Sequence, residues 1–294
     1  MTGRRLFNIT RVGFFHTLAL LVLVVGWSPS AVFAFVFCHC ALIFGAGGVN
    51  HRYFSHQAYQ TSRPFQALLA LLGTMTGQQG PLSWASIHHQ HHRYPDQPGD
   101  PHSPVTHSLF HAQVGWVFNA PFPPCKLILK RFGHYPELRF LNRFPLVGPI
   151  VLMSSLYGLG TLLSEYRPEW GTSGQQLVVW GGILAMLTSI HATGAINSIG
   201  HSFGYRRFET PDASSNVTWM LPISLGEHLH NNHHHAPQSA KTSVGKWELD
   251  PVYGILRVLK ALGLVWDLKV ASQSRGSSQA LPGAHRRSPP CGAA

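Results

Sequence analysis

Four groups of histidine carry most of the chemistry this chain could perform. They read "HRYFSH" (His51 to His56), "HHQHH" (His88 to His92), "NSIGH" (Asn197 to His201) and "HNNHHH" (His230 to His235), drawn from twenty histidines in 294 residues. Imidazole is a common ligand for Zn, Fe, Cu and Ni, and crowding many rings that could each take a proton is costly unless a metal holds them neutral. At ~100° per residue on a helix, His88, His91 and His92 fall in one arc able to aim at a single ion, while His89 points elsewhere. His230, His233 and His234 repeat that pattern, and Asn197 and His201 lie one turn apart on a shared face. His51 and His56 diverge by ~140° on a straight helix, so that pair requires a helix end that frays or turns. Isolated residues such as His16, His107, His111 and His134 read as surface or packing histidines.

Eight or nine ligands are too many for one tetrahedral or octahedral ion, so two metal ions are expected. A structural zinc site takes no more than four ligands, and hydrolytic zinc sites usually add a carboxylate. Here the nearest acids, Asp96, Asp100 and Glu227, are few and suit orienting the imidazoles. A pair of irons with neutral nitrogen ligands suits O2 activation, which reaches C–H bonds that no side chain can attack.

The elements that must position these rings look built for lipid. The chain is 45% hydrophobic and 11% charged, against roughly 25% charged in soluble domains. Residues 12–30, 31–50, 145–164 and 175–197 contain no Lys, Arg, Asp or Glu, and each approaches the ~20 residues needed to cross hydrocarbon. They are read as four membrane helices in two hairpins. The first stretch partly fits a signal peptide, but a second apolar run follows at once, which favours a retained hairpin. Four buried helices of a soluble protein would show charged faces, and these do not.

Parity then places all four histidine groups on one side of the membrane, in a helical cap. Every Lys and Arg except Arg167 falls on that side too, which the positive-inside rule assigns to the cytoplasm together with both termini. The net charge of +11 suits anionic headgroups or a phosphate-bearing substrate; no nucleic-acid motif accompanies it. In the cap, residues 65–77 read as an interfacial or partly inserted helix, 101–124 as irregular loops and 252–266 as an amphipathic helix. Residues 1–271 form one catalytic domain, and residues 272–294, rich in Ser, Gly, Pro and Arg, read as a disordered tail. Cys38, Cys40, Cys125 and Cys291 offer neither a CxxC pair nor a disulfide framework.

The segments "GGVNHRYFSH", "GPLSWASIHHQHHRYPDQPGDPH", "NSIGHSFGYR" and "GEHLHNNHHHAPQSA" resemble the histidine boxes of membrane fatty-acid desaturases, in particular the delta-9 acyl-CoA and acyl-lipid group that includes stearoyl-CoA desaturase. The resemblance runs from about Gly45 to Lys269. It implies nine iron ligands at His51, His56, His88, His91, His92, His201, His230, His233 and His234, with Asn197 contacting an iron through water; His89 and His235 fall outside the pattern. It also implies O2 as co-substrate and a cis double bond made in an acyl chain lying in a bent apolar tunnel. No fused cytochrome segment is visible, so a separate donor is expected, a ferredoxin or a b-type cytochrome with its reductase.

The sequence departs from the family pattern at Ile87, where an acid is common, and at Gly194-Ala195, whose small side chains are expected to alter tunnel width. Arg63, Lys126, Lys130 and Arg131 could hold CoA phosphates or sit on lipid. Two other readings compete: a diiron membrane hydroxylase or ketolase, since the same site can return oxygen to carbon after small changes in positioning, and a metal transporter. Transport predicts ionisable residues within the membrane helices, where only His16, His39 and His191 occur.

Overall fold

The computed structural model describes residues 2–120 and 122–271; the tail from residue 272, with Cys291, lies outside the described residues. Four helices, Gly3–Val25, Pro29–Ser55, Val147–Tyr166 and Gly174–Ser198, are long and apolar enough to cross a membrane. The third and fourth match the expected spans closely. The first starts at Gly3 instead of residue 12 and takes in Arg4, Arg5 and Arg11. Arginine tolerates this position because its stem packs on apolar surface while its head reaches water.

Local chemistry sets the first hairpin. Gly26, at φ 68°, turns the chain where a side chain would be strained. Ser28 then caps the second helix by accepting the Ala31 N–H at 3.1 Å, and Pro29 occupies its first turn. The Ser28 hydroxyl also bonds Gln176 and Thr172 at 3.0 Å, which ties this turn to the start of the fourth helix. Outward residues such as Leu23 (80% exposed) and Phe33 (70%) are the apolar surface that lipid would cover.

Small residues let the membrane helices approach closely. A Cβ on Gly160 would sit 2.5 Å from the Ser173 carbonyl oxygen, and one on Gly181 would sit 3.2 Å from the Ala34 methyl. The resulting core joins Ala34, Cys38 and Leu42 of the second helix to Leu156 of the third and Ala185 and Met186 of the fourth.

The cap is helical, with one two-residue antiparallel pairing of Gln60–Thr61 with Val265–Trp266. Helix Arg63–Met75 carries the expected apolar stretch and packs between the second and third membrane helices. There Asn50 donates to the Gly73 carbonyl at 3.0 Å. The segment expected to be irregular holds a short helix, Leu109–Gln113, and a 3-10 turn, Gly115–Asn119. The amphipathic helix is Pro251–Ala261. It stops short of Trp266 because Gly263 adopts φ 71° and the chain turns back to pair with Gln60–Thr61.

Candidate metal centre

The first box is set by an unusual winding. Phe44–Ser55, the end of the second membrane helix, is a π-helix, whose bonds run from i to i+5, a form frequent at functional sites. The His56 N–H donates to the His51 carbonyl at 3.2 Å, one such bond. This brings residues five apart onto one face, with ring centroids 5.0 Å apart. The divergence expected of a straight helix is thus removed by widening the helix, where the sequence suggested a frayed or turned end.

The nine histidines form two groups of converging nitrogens: His51, His56, His88, His92 and His233 in one, and His91, His201, His230 and His234 in the other, each group's ligand atoms within 4.8 Å of one another. Nε2 faces Nε2 throughout. His56 meets His88 at 2.8 Å, and His233 meets His92 at 2.9 Å and His51 at 3.0 Å. In the second group His201 meets His230 at 2.9 Å, and His234 meets His230 at 3.1 Å and His91 at 3.2 Å. Such a convergence of lone pairs fits cations of the Zn or Fe type.

One expectation is corrected here. His88, His91 and His92 do not aim at one point, nor do His230, His233 and His234. In each box the i, i+4 pair (His88 and His92; His230 and His234) stays together, and the i+3 ring (His91; His233) crosses to the other group. On a helix i and i+4 lie ~40° apart and i+3 lies ~60° to the other side of i, so the arc is wide enough for the i+3 ring to join the other group. His89 and His235 lie outside both groups; His235 stacks on Phe208 at 3.9 Å.

The outward nitrogens of four rings are held by buried carboxylates. His91 Nδ1 bonds Asp100 at 2.9 Å, His201 Nδ1 bonds Asp96 at 2.7 Å and His234 Nδ1 bonds Asp212 at 2.9 Å. His51 Nδ1 bonds Glu227. A carboxylate on Nδ1 fixes the tautomer that presents Nε2 as a lone pair and raises its basicity. Asp96, Asp100 and Glu227 take the role expected of them; Asp212 was not legible, since nothing in its spacing marks it as close to His234. Arg52, 1% exposed, bridges Glu227 (2.7 Å) and Asp250 (3.0 Å). Buried arginines of this kind need such pairing.

The electrostatics keep six of the imidazoles neutral. Burial, then the neighbouring imidazoles, pushes His56, His88, His92, His230 and His233 well below the ordinary histidine value. His234 falls to about 4, burial outweighing the bond to Asp212. For the carboxyls the order reverses. Burial opposes ionisation of Glu227, yet Arg52 and His51 hold it at about 2; Asp100 and Asp212 are likewise held low by His91 and His234 against their burial.

A cavity opens onto both groups, reaching His51, His88 and His230. It descends between the second and fourth membrane helices to Ile43 and Ala192, and Asn197 lines its wall. The Trp84 indole stacks on His88 with ring centroids 5.2 Å apart and donates to Gln78 at 3.2 Å. Gln78 in turn donates to Thr193 at 3.1 Å, which locks that wall. Ile87 lines the cavity, whereas Gly194 and Ala195 do not. A Cβ on Gly194 would meet the Gln113 carbonyl oxygen at 2.4 Å, so its smallness serves packing against that loop. Arg63 pairs with Glu137 at 2.8 Å on the surface, away from the cavity.

Fold and site together define a membrane protein with a nitrogen-rich pair of ligand groups at the mouth of an apolar cavity. Residues 10–266 match the family model of fatty acid desaturases. The chain belongs to that family and is an oxidoreductase. It is 34% identical over 232 residues to a hex-5-enoyl-[acyl-carrier protein] acetylenase of Moorena producens, covering 75% of this chain and 71% of that protein. It is 30% identical to an sn-2 palmitoyl-lipid 9-desaturase of Nostoc sp., covering 93% of each. It is 28% identical to an acyl-CoA 5-desaturase of Anemone leveillei, covering 91% of this chain and 80% of that protein.

Proposed function

We propose that the protein is an O2-dependent acyl desaturase that introduces a cis double bond at the delta-9 position of a saturated acyl chain carried on CoA. Its cofactors are two iron ions, one held by His51, His56, His88, His92 and His233 and the other by His91, His201, His230 and His234, with Asn197 reaching an iron through water. These ions supply the oxidising power by which O2, two electrons and two protons remove one hydrogen from each of two adjacent methylenes and leave two waters. The electrons come from a separate donor, a ferredoxin or a b-type cytochrome with its reductase. The catalytic domain is residues 1–271, with active site and both termini cytoplasmic.

The observation that carries this reading is the meeting of two Nε2 groups with an apolar cavity between membrane helices. The chain's own residues divide the work. Asp96, Asp100, Asp212 and Glu227 orient four imidazoles. Ile43, Ala46 and Ile196 give the acyl chain a dry wall. The Trp84–Gln78–Thr193 chain of hydrogen bonds holds the wall beside His88 rigid, as needed to place one C–H bond and no other near the centre.

Expression in a host with a matched donor, followed by mass spectrometry of its fatty acids, tests the reading. A new monoene is expected, and its double-bond position follows from the same data. A hydroxy acid moves the reading to a hydroxylase, and an unchanged profile overturns it. The acetylenase relative favours a second reading, in which an enoyl chain loses two further hydrogens; an alkyne from a supplied enoyl substrate identifies it.

A further inference from the structure

The two histidine groups differ in what stands behind them. In the group of four, three rings lean on carboxylates whose side chains are almost fully buried: Asp100 (0% exposed), Asp212 (3%) and Asp96 (6%). Their other bonds come from neutral donors. Asp100 takes the amides of Asp96 and His102, Asp96 takes the Ser103 hydroxyl and the Ala213 amide, and Asp212 takes the Ser214 amide and the Thr210 hydroxyl. In the group of five, one ring leans on a carboxylate, Glu227, and the Arg52 guanidinium shares that carboxylate through two bonds of 2.7 and 3.2 Å.

We infer that the three buried aspartates behind His91, His201 and His234 make the four-imidazole group the tight site, filled first and emptied last, while Arg52 leaves the five-imidazole group the exchangeable one. This rests on the reading that both groups bind metal. Each carboxylate behind a ligand is worth about 10–100-fold in affinity. The four-imidazole group has two more of them, and their charge is not shared with a guanidinium. The fifth imidazole of the other group adds one neutral ligand against two whole negative charges. Two further carboxylates favour the four-imidazole group by about 100-fold or more before the fifth imidazole of the other group is set against them, and the four-imidazole group stays the tighter.

The test uses the purified full chain in detergent, stripped by a chelator and titrated with Co2+, whose visible absorption reports each site. Wild type is expected to fill in two steps. His56→Ala removes the weaker step alone. Asp212→Asn and Asp100→Asn keep an oxygen to accept the imidazole N–H but lose the charge, and each weakens the stronger step by about 10–100-fold with the weaker step unmoved. Two variants guard against one failing to fold. A single step with equal sites overturns the inference. So does loss of the stronger step in His56→Ala, or a stronger step that neither aspartate variant shifts. Absence of any cobalt binding overturns the metal reading as well, so the two failures are told apart.

Discussion

Replacing Gly47 with alanine puts a methyl group into space that Glu227 already fills. An added Cβ would lie 2.7 Å from Glu227 Cδ and 2.8 Å from its Cγ and Oε1, well inside van der Waals contact. A free glutamate would swing aside, but this one is fixed by His51 Nδ1 and by two nitrogens of Arg52. Overpacking of this kind costs about 1–3 kcal/mol, whereas glycine to alanine in a helix otherwise gains roughly 0.5–1 kcal/mol, so the net effect is destabilising. A displaced Glu227 also releases His51, which lowers metal affinity of the five-imidazole group by about 10–100-fold. Metal content after dialysis and the melting temperature in detergent read the two effects. The control is Gly158→Ala in the third membrane helix, where nothing lies within 4 Å of the added atom. A Gly47→Ala protein that keeps wild-type metal content and melts no lower than the control refutes the reasoning.

Arg52→Gln leaves Glu227 and Asp250 buried without their cation and is expected to cost about 3–5 kcal/mol, read by denaturant unfolding; a loss under 1 kcal/mol counts against it. The metal-free protein should lose stability as pH falls. The unfolded chain protonates each histidine near pH 6.5, but burial keeps His56, His88, His92, His230 and His233 neutral well below that and His234 neutral to about 4. The unfolded state therefore binds more protons in that window, and stability, complete above pH 6.5, falls progressively as pH drops below it. Equal unfolding midpoints at pH 7.5 and 5.5 contradict this. Gly194→Ala should lower the melting temperature by clashing with the Gln113 carbonyl yet leave product chain length unchanged; a shifted product profile would mean that the cavity reaches this residue.

Much of this architecture is legible without coordinates. Uncharged stretches of membrane length locate the four spans, because hydrocarbon admits few charges whatever the surrounding fold. Parity of crossings then puts His51, His88, His201 and His230 on one side. That many imidazoles should meet follows from their number and spacing, and the set of nine from the resemblance to the desaturase histidine boxes. The extent of the first helix was less legible, because its arginines look like an end and are in fact carried on the helix.

Tertiary structure alone decides how the nine rings are shared. Helical spacing gives the direction of each ring from its own axis, but not where that axis lies between two centres, and so it could not show that His91 and His233 part from their neighbours. The π-winding that unites His51 with His56 is invisible to a count made at 100° per residue. Asp212, Arg52 and Gly194 gain their roles from partners 22, 175 and 81 or so positions away. Contacts at such distances along the chain are made by packing, which no local pattern encodes.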